Sequence, residues 1–218
     1  MIPGPDKIIE CPKCKGLARV ITLISGNSFG AQRWTDGKMI APMLTLSPAI
    51  TKCKSCNQYF WISDANSVGN FPKNQDEAEN VPDDWKNAKR VRDLTKSEFL
   101  EALSLGAADS KERELHLRIR IWQAGNDPYR SNYLRSVPQM PVEDKKNLAR
   151  LLELLPISQP ENRIMSAEIL REIGKFDEAI KMLEFPFPAG YNEGAISLIR
   201  ELARDKDSLV REILDEFF

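Results

Sequence analysis

Cys11 and Cys14, and Cys53 and Cys56, are the only cysteines in the chain, two CxxC pairs with 38 residues between them. A CxxC turn directs two sulfurs at one point, and two such turns supply the four thiolates of a closed tetrahedral metal site. Zn²⁺ suits this donor set at about 2.3 Å, and a Cys₄ shell keeps no open position for water, so the expected role is structural. Iron on the same four ligands is one alternative. A redox dithiol at Cys11-Pro12-Lys13-Cys14 is another, against which the duplication of the motif counts. The spacing exceeds the roughly 15–20 residues common between such pairs.

Other reactive constellations are missing from the sequence. His116 is the single histidine, and its place between Leu115 and Leu117 reads as a partly buried helical residue rather than a general base. There is no Gly-x-Ser-x-Gly elbow and no glycine-rich phosphate loop. The chain is therefore read as non-enzymatic, with no catalytic residue and no organic cofactor. Asn126-Asp127-Pro128-Tyr129-Arg130 is the most distinctive polar run of the C-terminal part; it reads as an inter-helix turn, with a binding corner at Arg130 as the sharper option.

The elements that must position the cysteines are β. Ile8-Ile9 leads into the first pair and residues 17–24, rich in β-branched side chains, lead out of it. Asp36-Gly37, between Arg33-Trp34-Thr35 and Lys38-Met39-Ile40, is the strongest hairpin signal. Gln58 to Ile62 is a short aromatic strand. Two metal knuckles, each at the end of a hairpin, make a zinc ribbon over residues 1–70. Phe29, Arg33, Trp34, Tyr59, Phe60 and Trp61 could stack single-stranded nucleic acid; the favoured reading is that they cover the metal and dock on neighbouring helices.

Residues 71–94 read as a linker, broken by Pro72, Asn74, Asn80 and Pro82, with one short helical turn at Asp83-Asp84-Trp85 whose Trp85 anchors it. Residues 95–218 read as helical. Thr95-Lys96-Ser97-Glu98 is a capping box ahead of a helix that Gly106 stops. A second helix covers about 110–124, closed by Gly125. Val142–Leu155 is leucine-rich. Ser158-Gln159-Pro160-Glu161 is read as another capping box, opening a helix that ends near Gly174. Two helices follow Pro186 and Pro188, the last carrying Val210, Ile213, Leu214 and Phe217. An offset of 30 residues aligns 162–187 with 192–217 as a faint repeat.

Composition fits a globular protein: 42% hydrophobic and 29% charged residues, with a net charge of −1. Residues 1–70 hold eight basic and four acidic side chains, too slight an excess to argue for nucleic acid on charge alone. No apolar run nears the roughly 18 residues of a membrane span, and the N-terminus lacks the regions of a signal peptide, so a cytoplasmic location is expected.

Gly174-Lys175-Phe176-Asp177-Glu178-Ala179-Ile180 resembles the inter-helix turn of a tetratricopeptide repeat. There a small residue lets two helices approach, an aromatic packs between them and an alanine fits their crossing; Gly174, Phe176 and Ala179 match. The resemblance covers about 160–187 and implies protein binding. The Trp-x-x-Leu-Gly opening is absent and Pro186 interrupts where the second helix would continue. The whole chain also resembles a group of bacterial proteins with an N-terminal zinc ribbon and a C-terminal helical region, through both CxxC pairs, Ser25–Ala31, Trp34–Lys38, Ala41-Pro42-Met43 and Asn126–Arg130. That resemblance implies an architecture and no activity. The expectation is an α+β protein, a Cys₄ zinc ribbon followed by a tetratricopeptide-like helical array. It would act as an adaptor for another protein, with a nucleic-acid-associated regulator as the second reading.

Overall fold

The computed structural model describes residues 1–44, 47–74, 79–130 and 139–214. Strands dominate residues 2–71 and helices residues 83–204, the α+β order the sequence leads one to expect. The chain divides into two compact units, Met1–Ala31 with Ala41–Ala107, and Gln32–Ile40 with Ala108–Phe218.

In the first unit the main sheet has the order β10-β3-β2-β9, from β2 (Asp6–Glu10), β3 (Leu17–Val20), β9 (Asn66–Phe71) and β10 (Lys89–Arg90). Ile8 and Ile9 of β2 are buried on its two faces, and β2 pairs antiparallel with β3 from Lys7–Val20 to Glu10–Leu17. β7 (Ile50–Lys52) and β8 (Tyr59–Trp61) form a second hairpin, and β1 (Ile2–Pro3) pairs with β4 (Leu23–Ser25). The stretch 71–94, read as linker, belongs to this unit. It holds helix α1 (Asp83–Asn87) and strand β10, which runs parallel to β3. Trp85 is the anchor expected of it: its ring lies so close to Gly69 of β9 that a Cβ there would fall 2.0 Å from the indole. Of Asp76-Glu77-Ala78-Glu79, which reads in sequence as a solvated stretch of this segment, the first three lie outside the described residues.

Helix α2 (Lys96–Ser104) begins at the expected capping box. Thr95 Oγ1 accepts from Glu98 N at 3.3 Å, and Glu98 Oε2 accepts from Thr95 N at 2.9 Å. The helix buries Phe99 and Ala102 and ends at Gly106.

Among the described residues, the second unit has a small sheet and five α-helices. β5 (Gln32–Trp34) and β6 (Met39–Ile40) close through Thr35-Asp36-Gly37, with Trp34 O accepting from Gly37 N and Trp34 N donating to Lys38 O, both at 2.9 Å. This is the hairpin signalled by Asp36-Gly37, found in the second unit rather than in the ribbon to which 1–70 was assigned. β11 (Glu212–Ile213) pairs antiparallel with β5. The final helix expected through Val210, Ile213 and Leu214 is therefore absent from the described residues. Val210 and Ile213 are buried while Leu214 is exposed, and the backbone of Arg211 bonds to Thr35. Phe217 lies outside the described residues.

The helices are α3 (Lys111–Asn126), α4 (Val142–Leu154), α5 (Pro160–Glu172), α6 (Phe176–Leu183) and α7 (Glu193–Arg204). α3 runs through Gly125 instead of stopping there and continues as a 3₁₀ turn over Asp127–Tyr129. Its Trp122 packs with Leu148, Leu151, Leu155 and Ile169. The capping box expected at Ser158 does not form, because the cap falls one residue later, at Gln159. Glu161 instead accepts from the Tyr191 hydroxyl at 3.1 Å. α5 ends in a Schellman turn, with Gly174 N donating to Arg171 O at 3.0 Å and Lys175 N to Leu170 O at 2.8 Å. Gly174 has φ +82°, which a Cβ would disfavour. α7 ends the same way with Lys206 at φ +56°, 32 positions after Gly174, so the 30-residue offset is not a structural period.

The hairpin is tied to α3 by a buried ion pair. Arg130 Nη1 donates to Asp36 Oδ1 at 3.1 Å and Nη2 to Oδ2, while Nε donates to Asp127 Oδ1 at 2.9 Å. Asp36 also accepts from the Asn126 amide at 3.1 Å, and its side chain is wholly buried. Burial works against the Arg130 charge, but Asp36 and Asp127 outweigh it, so its pKa is raised. Arg130 is thus the clasp of the unit, and neither a plain turn residue nor an exposed binding corner.

Two outcomes follow. Arg130→Met strands a buried carboxylate and should lower stability by about 3–5 kcal/mol, with partial recovery in the double variant Asp36→Asn/Arg130→Met; urea unfolding of the full chain measures both. In the first unit, the Arg92 guanidinium, at 2.5–2.7 Å, and the Thr95 contacts hold Glu98 down to about 2. A depressed carboxylate contributes its stability above its ordinary value and loses it as pH falls through the folded one. Wild type should therefore lose stability between about pH 4.5 and 2, by about 1 kcal/mol more than Glu98→Gln.

Candidate metal centre

Each cysteine pair sits where a hairpin turns, Cys11–Gly16 between β2 and β3 and Cys53–Gln58 between β7 and β8. The two turns use the same backbone bonds. Cys11 O accepts from Lys15 N at 3.0 Å and Cys11 N donates to Gly16 O at 2.9 Å; Cys53 O accepts from Asn57 N at 3.0 Å and Cys53 N donates to Gln58 O at 2.9 Å. Lys15 and Asn57 occupy the left-handed region at φ +62° and +59°. Both turns thus fold their second cysteine back over the first, a local consequence of the Cys-x-x-Cys-x-x backbone.

The four Sγ atoms lie within 4.8 Å of one another. Cys11 and Cys56 are 3.9 Å apart and Cys14 and Cys53 3.6 Å, and all four are free thiols. A tetrahedron with bonds of about 2.3 Å has edges of about 3.8 Å, so the donor set fits Zn²⁺. Gly16 N points at Cys14 Sγ and Ser55 N at Cys53 Sγ, both at 3.4 Å, which stabilises thiolate charge. Beneath the sulfurs, Ile9, Val20 and Phe60 pack with Cys11 and Cys53 as an apolar floor. The arrangement can hold a four-coordinate soft metal, which would cross-link the two hairpins.

The thiols differ in readiness to ionise. Burial raises Cys53, but donation from Cys56 N and Ser55 N and from neighbouring thiols more than offsets it and brings the group down to about 7. For Cys14 the Gly16 N–H favours the thiolate, yet Cys56, the slight burial, Cys53 and Cys11 together push it up to about 12. Burial raises Cys11. Four adjacent thiols cannot all ionise unless a cation shares their charge.

The other aromatic candidates are dispersed. Trp34, Phe60 and Trp61 are buried, and the Trp61 indole donates to Ala107 O at 2.8 Å. Trp34 lies in the second unit with the Arg130 guanidinium 5.1 Å from its ring. The Tyr59 hydroxyl donates to Glu101. Phe29 alone of the six named residues carries a fully presented ring, 81% exposed. His116 is half-buried on α3. What the sequence reading missed is Gly16: a Cβ there would sit 2.6 Å from Ser55 Oγ and 3.3 Å from Cys14 Sγ, so the glycine lets the two knuckles meet. Its only signal was a glycine two residues after a CxxC.

Comparison with family models, with curated proteins and with solved structures finds no match for this chain. What stands from the resemblances is a four-cysteine cluster compatible with zinc and a helical C-terminal region.

Gly16→Val should wedge the knuckles apart. The expected result is zinc affinity reduced by about tenfold or more in a chelator competition, the scale on which supporting contacts act at metal sites, with the four cysteines intact.

Proposed function

We propose that the chain is a non-enzymatic protein-interaction or adaptor protein whose first unit is stapled by a structural zinc ion. The observation that carries this is the closed shell: among the described residues, the ligating cluster consists of the four cysteines alone, set on a hydrophobic floor. A metal held there has no position for substrate, so its contribution is to folding. The reading of the helices as a tetratricopeptide-like surface draws support from the α5–α6 hairpin. Ala179 is fully buried against Leu170 and Ala203, and Phe176 packs beside it, the roles the resemblance assigns to these residues. Four unpaired cysteines suit a reducing compartment, in keeping with a cytoplasmic location. No helix among the described residues is long and apolar enough to cross a membrane. The nucleic-acid reading loses most of its stacking surface, since Trp34, Phe60 and Trp61 are buried.

Elemental analysis of the purified full chain should give one zinc per chain. Cys14→Ser should remove it, weaken the β signal and leave most of the helical circular dichroism. Iron with visible absorbance, or metal-free protein with unchanged stability, would refute the staple. For the interaction, a partner captured by wild type should be lost or weakened when exposed α6 residues are reversed in charge, as in Asp177→Lys/Glu178→Lys; nuclease-sensitive capture would favour the nucleic-acid reading.

A further inference from the structure

Among the described residues of the second unit, three carboxylates are deeply buried, Asp36, Glu168 and Glu172, and two of them have guanidinium partners. Asp36 is clasped by Arg130, and Glu168 accepts from Arg171 Nε at 2.8 Å and Nη2 at 2.6 Å. The third, Glu172, has only neutral donors. Its Oε2 accepts from the Trp122 indole at 2.7 Å and its Oε1 from the Asn126 amide at 2.9 Å, and no lysine or arginine nitrogen among the described residues lies within ion-pair distance. Burial, together with the nearby Glu168 and Asp36 charges, opposes its ionisation; Trp122 and Arg171 favour it.

Glu172 stands at the wall of a cavity of about 370 Å³, which Trp122, Asn126, Tyr129, Leu148 and Phe176 also line. This is ample for a ligand of several non-hydrogen atoms. Asp144 lies on the same lining, and Lys145 is exposed there. Both protonation states of Glu172 leave a valence unmet among the described residues. Ionised, it is a buried charge with no ion-pair partner among the described residues. Protonated, its O–H has no acceptor among the described residues, because both of its contacts are donors. Three aromatic side chains beside an acidic group are the surroundings that receive organic cations, through their ring faces and an ion pair.

We propose that this cavity binds a small organic ammonium ion, with the Glu172 carboxylate as its counter-ion. The N–H groups of a primary ammonium reach the free lone pairs of the two carboxylate oxygens, and its alkyl part lies against the apolar side chains. The ligand thus supplies for Glu172 what Arg130 supplies for Asp36. The proposal is independent of the zinc site and of the adaptor reading.

The test is isothermal titration of the full chain at neutral pH with n-butylammonium chloride, against n-butanol and sodium butyrate at matched ionic strength. Saturable one-to-one binding of the ammonium alone is expected. Glu172→Gln should weaken it by about tenfold or more, as loss of a hydrogen bond to a charged group does. Lys145→Glu, an exposed change that replaces a competing positive charge, should strengthen it by about two- to threefold. No saturable binding, equal binding of butanol or butyrate, or undiminished binding in Glu172→Gln overturns the proposal. If Glu172→Gln does not fold, an unchanged affinity in Lys145→Glu overturns it instead.

Discussion

Four thiols within 4.8 Å of one another cannot all carry charge without a cation among them, and the first unit is arranged around that constraint. A metal ion held by all four thiolates would be inert. Once four sulfurs fill a tetrahedral shell there is no vacancy, and the apolar floor of Ile9, Val20 and Phe60 closes the inner side. A metal held there would cross-link the β2–β3 and β7–β8 turns and so add to a core in which Ile8, Ile50, Trp61 and Phe99 are also buried. Gly16 serves the same end by removing a side chain from the one place where the turns must touch.

The second unit meets a comparable problem with covalently attached cations. Its buried carboxylates are neutralised one by one, Asp36 by Arg130 and Glu168 by Arg171, and the polar atoms left over bind backbone. Arg171 donates to Leu209 O at 2.8 Å and to Asp207 O, fixing the segment that leads into β11. These pairs are costly to bury and costlier to break, so they specify which segments meet more than they add net stability. Glu172 interrupts the scheme. A unit that provides guanidinium partners for two buried carboxylates and a cavity beside another differs in how it satisfies the same electrostatic demand.

How much of this was legible from sequence depended on the range of the physics involved. The knuckles, the Thr95–Glu98 capping box, the Asp36-Gly37 turn and the Gly174 turn are set within six residues, and each formed where its residues implied. Val210, Ile213 and Leu214 were misread because three apolar positions at helical spacing also suit a strand, and only the partner Thr35–Trp34, more than 170 residues earlier in the chain, decides between them. The Ser158 box failed by one residue. The helix starts after Gln159, whose side chain makes no cap bond to it, and Glu161 accepts instead from Tyr191, a contact spanning 30 positions. Arg130 was singled out correctly and given the wrong role, since its partner Asp36 lies 94 residues away.

The unusual spacing of the cysteine pairs follows from the division of the chain. A plain ribbon needs only enough residues to return from one knuckle to the other, about 15–20. Here the segment between Cys14 and Cys53 also contributes residues 32–40 to the other unit before returning at Ala41. The chain therefore passes between units three times rather than once, and a metal on Cys14 and Cys53 closes a loop that contains the Asp36 hairpin. Lengthening a closed loop costs little, roughly 0.6 kcal/mol for each doubling, so the excursion adds only a small entropic penalty to metal binding. In exchange, the loop carries the carboxylate on which Arg130 closes. The 38-residue interval, which as a bare spacing weakens the zinc reading, is accounted for once the hairpin is seen to have its own partner.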